Sequence, residues 1–146
     1  LIIAKLLETG LDVEKINQEI YGNYPDSRLA LVVEMLKRRR TAYNGRLAYA
    51  ILPHAALHKT KGLPEDLEGA IDYLRCLKGV KACFLITEWL KGVAKISFRS
   101  STEVDVNQIA SALGGGGHRK ASGASCKCSL KQAERLVSDL FKPILS

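Results

Sequence analysis

The chain has 146 residues, 47% of them hydrophobic and 25% charged, which is enough apolar material for one ordinary domain with an extension. No apolar run is long enough to cross a bilayer and no secretory leader with a cleavage site is visible, so no membrane partner is expected. The net charge of +7 is uneven: residues 91–146 hold nine basic against four acidic groups, whereas 1–40 hold seven against six.

The first forty residues read as helices. The chain starts at Leu1, without a methionine and inside the apolar run LIIAKLL, which points to a fragment of a longer protein. LIIAKLLETG stops at Gly10, a natural residue just past a helix end. DVEKINQEIYG starts at Asp12 as N-cap and stops at Gly22. In RLALVVEMLKRRR, the residues Leu29, Val32, Val33 and Leu36 form one stripe. Its KRRR tail either binds phosphate or complements the helix dipole.

The period then changes. RLAYAIL, after Asn44-Gly45, reads as a strand in a hairpin with TAY. His54 and His58 share a helix face in LPHAALHKTKG but have no carboxylate nearby, so surface histidines are expected rather than a metal site. PEDLEGAIDYLRCLKG, with proline first, acids early and bases late, predicts one helix. VKACFLITEW reads as a buried strand that turns through LKG into VAKISFRS. DVNQIASAL is a short helix with Asp105 as cap and Gln108 at the reciprocal position. The glycines come next, then the small-residue strand ASGASCKC, and Ser129 with Gln132 opens the last helix.

These elements predict an α/β fold, a compact mixed β-sheet domain over 46–146 flanked by helices and preceded by a helical connector arm over 1–45. The four cysteines contain no CxxC pair and read as reduced packing residues of a cytoplasmic protein.

ALGGGGHRKASGA (112–124) is the chemical signal. Without Cβ atoms, successive glycine N–H groups can turn toward one point and cradle phosphate oxygens, although polyglycine also makes plain flexible loops. This run lies directly between a capped helix and a strand, and it lacks the GK[ST] ending of a Walker loop. His118 follows it as a hydrogen-bond donor to phosphate or a proton donor to a leaving oxygen. In SFRS, Arg99 offers a bidentate fork for a second phosphate or a carboxylate, with Ser97 and Ser100 as hydroxyl donors. The basic excess in the same segment fits an anionic partner, or else only a basic surface.

The string VAKISFRS…VDVNQIASALGGGGHRKASGA resembles the DHH-associated domain, the C-terminal half of DHH phosphoesterases, over about residues 46–142. It looks most like the nanoRNase branch, the bifunctional oligoribonucleases and pAp phosphatases. The resemblance implies that Gly115, Gly116, Gly117 and His118 form a phosphate site. It also implies that His118 lies beside the scissile phosphate, and that Arg99, with Ser100 and Ser97, holds another phosphate of pAp or of short single-stranded RNA. Manganese ions are implied in a missing N-terminal DHH domain, the expected partner of this piece. No DHH triplet or matching set of aspartates occurs here, so no metal site and no catalytic residue is expected, and the chain alone should bind substrate without cleaving it. Leu113 stands where an aromatic commonly precedes the glycines, which bears on base stacking.

Three alternatives stay open. One is a half of a cyclic-dinucleotide phosphodiesterase or of a RecJ-like exonuclease. Another is a non-hydrolytic nucleic-acid-binding module of the alanyl-tRNA synthetase C-terminal type. The third is a structural domain in which GGGGH is a tight turn. A homodimer through the exposed arm is a further expectation.

Overall fold

In the computed structural model, which describes residues 2–101 and 103–146, the run ACFLITEWL is buried over its first six residues without alternation. That pattern belongs to a strand covered on both faces. It forms β3 (Ala82–Leu90) inside a six-stranded sheet with β1 (Arg40–Ala42), β2 (Leu47–Leu52), β4 (Val93–Ser100), β5 (Gly116–His118) and β6 (Ala121–Cys126). The strand order is β1-β2-β3-β4-β6-β5. β2 and β3 pair in parallel, and the other neighbours are antiparallel. The mixed sheet with flanking helices is the predicted fold class.

A parallel pair needs a crossover. Residues 53–81 supply it through α4 (His54–Lys59), a 3-10 turn at Pro64–Leu67 and α5 (Asp72–Arg75). The single helix predicted over 64–79 is therefore corrected to two short turns. Glu68 is extended and Gly69 takes φ +75°, which breaks the helix between them. Leu67, Ala70, Ile71 and Leu74, at helical spacing, are nevertheless all buried.

The sheet has two faces. On one, α6 (Val106–Ala112) and α7 (Leu130–Leu145) cover Phe84, Ile86, Ile96 and Phe98, with Val137, Phe141 and Leu145 fully or nearly fully buried. Phe84 stacks on Tyr49 with centroids 4.7 Å apart and meets Phe141 at 6.1 Å. The other face is covered only over β2 and β3. There α3 (Asp26–Lys37), α4 and the crossover turns bury Ala48, Ala50, Leu52, Cys83 and Leu85.

α3 reaches the sheet through Leu31 and Met35, with Val32 and Leu36 partly buried, while Leu29 and Val33 stay exposed. This corrects the predicted stripe: α3 is apolar on more than one side, and the sheet selects which side is used. Arg28 Nη2 donates to Glu68 O at 2.8 Å and Ser27 Oγ to Asp66 at 3.0 Å, tying α3 to the crossover. α1 (Ile2–Glu8) and α2 (Val13–Tyr21), the rest of the predicted arm, bury no residue.

The helix-cap and hairpin signals hold, except that Gln108 does not return a side-chain bond to the Asp105 N–H. Gly10 has φ +76°, and the Asp12 carboxylate accepts from Lys15 N–H at 3.0 Å. Asp105 accepts from the Asn107 and Gln108 N–H groups, and Ser129 with Gln132 closes a capping box on α7. The β1–β2 hairpin forms, with Tyr43, Asn44 and Gly45 all at positive φ in its turn. Cys126 and Cys128, expected as separate reduced thiols, have their sulfurs joined as a pair beside the end of β6.

Candidate phosphate-binding groove

β4 alternates. Ala94, Ile96, Phe98 and Ser100 point into the α6–α7 core, so Lys95, Ser97 and Arg99 take the opposite face. That face loses its helical cover beyond β3, and the three side chains line a groove of about 470 Å³. Pro64, Glu65, Leu67, Glu68, Gly69 and Ile71 wall one side of it. Leu85, Thr87 and Trp89 of β3 complete the lining.

The neighbouring strand keeps the floor low. Lys95, Ser97 and Arg99 stand in register with Ser125, Gly123 and Ala121 of β6. A depression of about 380 Å³ continues the groove over these small residues, lined by Lys95, Ser97, Gly114, Gly115, Gly123 and Ser125 among others. The tail ASGASC thus leaves room beside the cations, as its small side chains suggest.

The glycine run is not an open loop, which corrects the expected cradle of amides all turned to one point. Gly114, at φ +75°, ends α6. Its N–H donates to Ser111 O and that of Gly115 to Ala110 O, the two bonds of a Schellman closure. Gly116 to His118 then form the edge strand β5 against β6. A Cβ on Gly115 would lie 2.1 Å from Gly123 O, and one on Gly117 2.7 Å from Ala121 O. Gly115 and Gly117 are therefore required by close packing against β6, and Gly114 by its left-handed backbone conformation. Gly116 is different: a Cβ there would meet nothing nearer than Asn107 Oδ1 at 4.0 Å. One edge of β5 has no strand beside it, so its outward backbone groups are open to a ligand.

The expected site residues separate accordingly. Arg99 is half-buried at the groove, with Nη1 donating to Phe98 O at 2.9 Å. Ser97 lies two residues before it on the same face. Gly115 borders the depression, while Gly116, Gly117 and His118 are exposed along β5. Ser100 is not brought to this face: it is 3% exposed on the core side, and its hydroxyl donates to Val104 O at 2.8 Å. Leu113 packs against the α6–α7 core. Arg119, next to His118, donates to Glu103 O and holds the turn.

Sequence reasoning passes over Lys95 and Trp89. The strict alternation of VAKISFRS carries the signal for Lys95, two and four residues from Ser97 and Arg99. Cys83 lies opposite Arg99 in register beneath the groove. Burial, and then the Asp72 charge, push its thiol up to about 12, against the pull of Arg75 and then Arg99. That thiol stays protonated and unreactive at neutral pH. Among the described residues no group of three or more His, Cys, Asp or Glu could hold a metal ion, so the manganese implied by the resemblance has no fitting ligand set here. Among them, too, no helix is long and apolar enough to cross a membrane.

A mixed sheet with a small-residue groove between a crossover wall and a glycine edge strand, in which Lys95 and Arg99 face Glu65 and Glu68, defines an α/β domain with a polar candidate ligand site. The chain belongs to the DHHA1 domain family, whose model matches residues 44–143. It is 30% identical over 146 residues, 99% of this chain, to the bifunctional oligoribonuclease and PAP phosphatase NrnA of Thermus thermophilus, of which it covers 43%. It is also 30% identical over 148 residues to an A-adding tRNA nucleotidyltransferase of Aquifex aeolicus, covering 17% of that protein. In structure it matches an exopolyphosphatase-related protein from Bacteroides fragilis with a TM-score of 0.90 and 28% identity, over 99% of this chain and 43% of that one. The chain thus spans less than half the length of each.

Proposed function

We propose that this chain is the substrate-binding half of a metal-dependent DHH phosphoesterase acting in the cytoplasm, and that its groove holds the phosphates of pAp or of a very short oligoribonucleotide. The observation that carries the reading is the placement of Arg99, Lys95 and Ser97 on a stretch of sheet where the α3 and crossover cover ends, one strand in from the small-residue strand β6 that pairs with the glycine edge strand. Phosphate bound there meets a guanidinium fork, an ammonium and a hydroxyl, across the groove from the Glu65 and Glu68 carboxylates. The open backbone groups of β5 lie two strands further out, for another part of the ligand. His118, at the end of β5, reaches toward the scissile phosphate. The partner DHH domain supplies manganese, and with it the activated water, so this chain binds without cleaving.

Calorimetric titration with pAp and with an RNA pentamer, without metal, tests the reading. Binding of pAp that Arg99→Ala weakens by about ten- to hundredfold is the expected result, since a charged hydrogen bond contributes about 1.5–3 kcal/mol. Undiminished binding in that variant overturns it. The likeness to a tRNA nucleotidyltransferase favours one second reading, a non-hydrolytic module for a long folded RNA. That module would ignore pAp and bind tRNA with a steep salt dependence.

A further inference from the structure

At the β1 edge of the sheet, on the α7 face, a second cleft of about 470 Å³ is lined by Lys37, Arg38, Arg39 and Arg40 together with Lys131 of α7. Ile51, Pro53 and Leu130 line it as well, and Glu134 is the one carboxylate in the lining. The helix dipole accounts for Lys37 and Arg38 at the C-terminal end of α3. It does not account for Arg39 and Arg40, which lie beyond that helix. It runs against Lys131, which sits in the first turn of α7, where the dipole is positive and no acidic residue offsets it.

The carboxylates here hold the cations in place without using them up. Glu34 pairs with Arg38 and, at 3.7 Å, with Lys37; Glu134 pairs with Arg40 at 2.9 Å. Each guanidinium carries five N–H donors, so Arg38 and Arg40 keep free donors. Arg39 donates to the Leu36 carbonyl, and neither it nor Lys131 makes an ion pair among the described residues. Five cations from three segments are gathered on a concave surface, and the ends of two helices do not explain them.

We propose that this cleft binds the sugar-phosphate backbone of single-stranded RNA. The cations follow the chain from α3 into β1 and across to α7 rather than converging on one point, which suits successive phosphates better than a single anion. The cleft lies on the opposite face of the sheet from the groove and stands independently of the function proposed for it.

The experiment is a salt titration of the full chain with a fluorescently labelled oligouridylate of about fifteen nucleotides, followed by anisotropy, with inorganic phosphate as competitor. Arg39→Glu with Lys131→Glu is expected to lower affinity at least about tenfold and to flatten the log–log salt slope by about 1.4, that is about 0.7 for each single-strand phosphate that a cation no longer neutralises. Arg39→Gln with Lys131→Gln, which removes the same two cations but adds no repulsion, should flatten the slope by about the same 1.4 with a smaller loss of affinity. pAp binding at the groove should stay unchanged in both variants. An unaltered slope in folded variants overturns the proposal. So does millimolar phosphate displacing the RNA from this cleft more effectively than sodium chloride of the same ionic strength, because the site would then be one for free phosphate.

Discussion

Arg99 and His118 stand opposite the same residue, Ala121, from its two sides. Two interstrand spacings of about 4.8 Å put their backbones about 10 Å apart, with the small Ala121 between them. Under the proposed function they would address different parts of a bound nucleotide, one at the groove and one at the sheet edge. No phosphate gripped by both would couple their effects. Arg99→Ala and His118→Ala should each weaken pAp binding, and the double variant should show the sum within about 0.5 kcal/mol. Calorimetry on the four proteins of the cycle checks this. A coupling well above that value would mean that both side chains grip one phosphate.

The glycines divide into those the fold needs and one it does not. Gly115→Ala and Gly117→Ala force a Cβ to within 3 Å of the β6 backbone, where no flexible side chain can move aside. Each should destabilise the chain by about 3 kcal/mol, at the upper end of overpacking costs. Gly116→Ala has free space and should melt within a few degrees of the parent, yet bind pAp more weakly because its methyl group stands on the open strand edge. Thermal denaturation beside calorimetry separates the two effects. Equal destabilisation by all three variants would refute the division.

Trp89 is the chain's one tryptophan and lines the groove. Its indole offers an apolar face beside Lys95, Ser97 and Arg99, in a chain where Leu113 is turned into the core. Aromatic stacking on a base contributes about 1–3 kcal/mol. pAp should therefore change the intrinsic fluorescence on binding, whereas inorganic pyrophosphate, which has no base, should leave it nearly unchanged. Trp89→Leu should weaken pAp binding without affecting pyrophosphate. Identical fluorescence responses to both ligands would remove Trp89 from base recognition.

The parts of this architecture legible in the sequence are those written within one turn or one hairpin. Asp12, Asp105 and Ser129 cap helices because a short polar side chain can reach the N–H groups two or three residues on, whatever the rest of the chain does. The alternation of VAKISFRS likewise places Arg99 and Ser97 on one face and Ser100 on the other; Ser100 and Lys95 were both within reach of that rule. The break at Gly69 was not, since Leu67, Ala70, Ile71 and Leu74 show the same spacing in one helix or in two short turns. Nor was β5: glycine has no side chain to carry a period, and only the pairing with β6 makes Gly116–His118 a strand. The stripe of α3 depended on which side met the sheet, and its sequence is apolar on both.

α1 and α2 bury none of their residues, although Ile2, Ile3, Val13 and Ile20 are apolar and more than half exposed. Removing residues 1–22 should therefore change unfolding free energy by no more than about 0.5 kcal/mol, the range of ordinary surface changes. It should also leave pAp affinity at the groove intact. Chemical denaturation and calorimetry of the truncated chain check both. A large loss of stability would place these helices within the folding unit of the sheet.

Cys83 lies beneath the groove, opposite Arg99, and burial raises its thiol from about 9 to about 12. The neutral thiol is thus favoured by folding, so its contribution is complete below pH 9 and is lost as the pH rises from about 9 through about 12. In that window the unfolded chain sheds the proton first. Three pH units at about 1.4 kcal/mol each give a loss of at most about 4 kcal/mol. Lysines and tyrosines titrate in the same range, and Cys83→Ala separates them because it cannot lose a proton. The stability of the parent should therefore fall more steeply than that of the variant between pH 9 and 11, as read from denaturant midpoints at each pH. Curves of equal slope would mean that the folded chain ionises Cys83 as readily as the unfolded one, and the close cover of Ile71 and β2 over this thiol would have to open in solution.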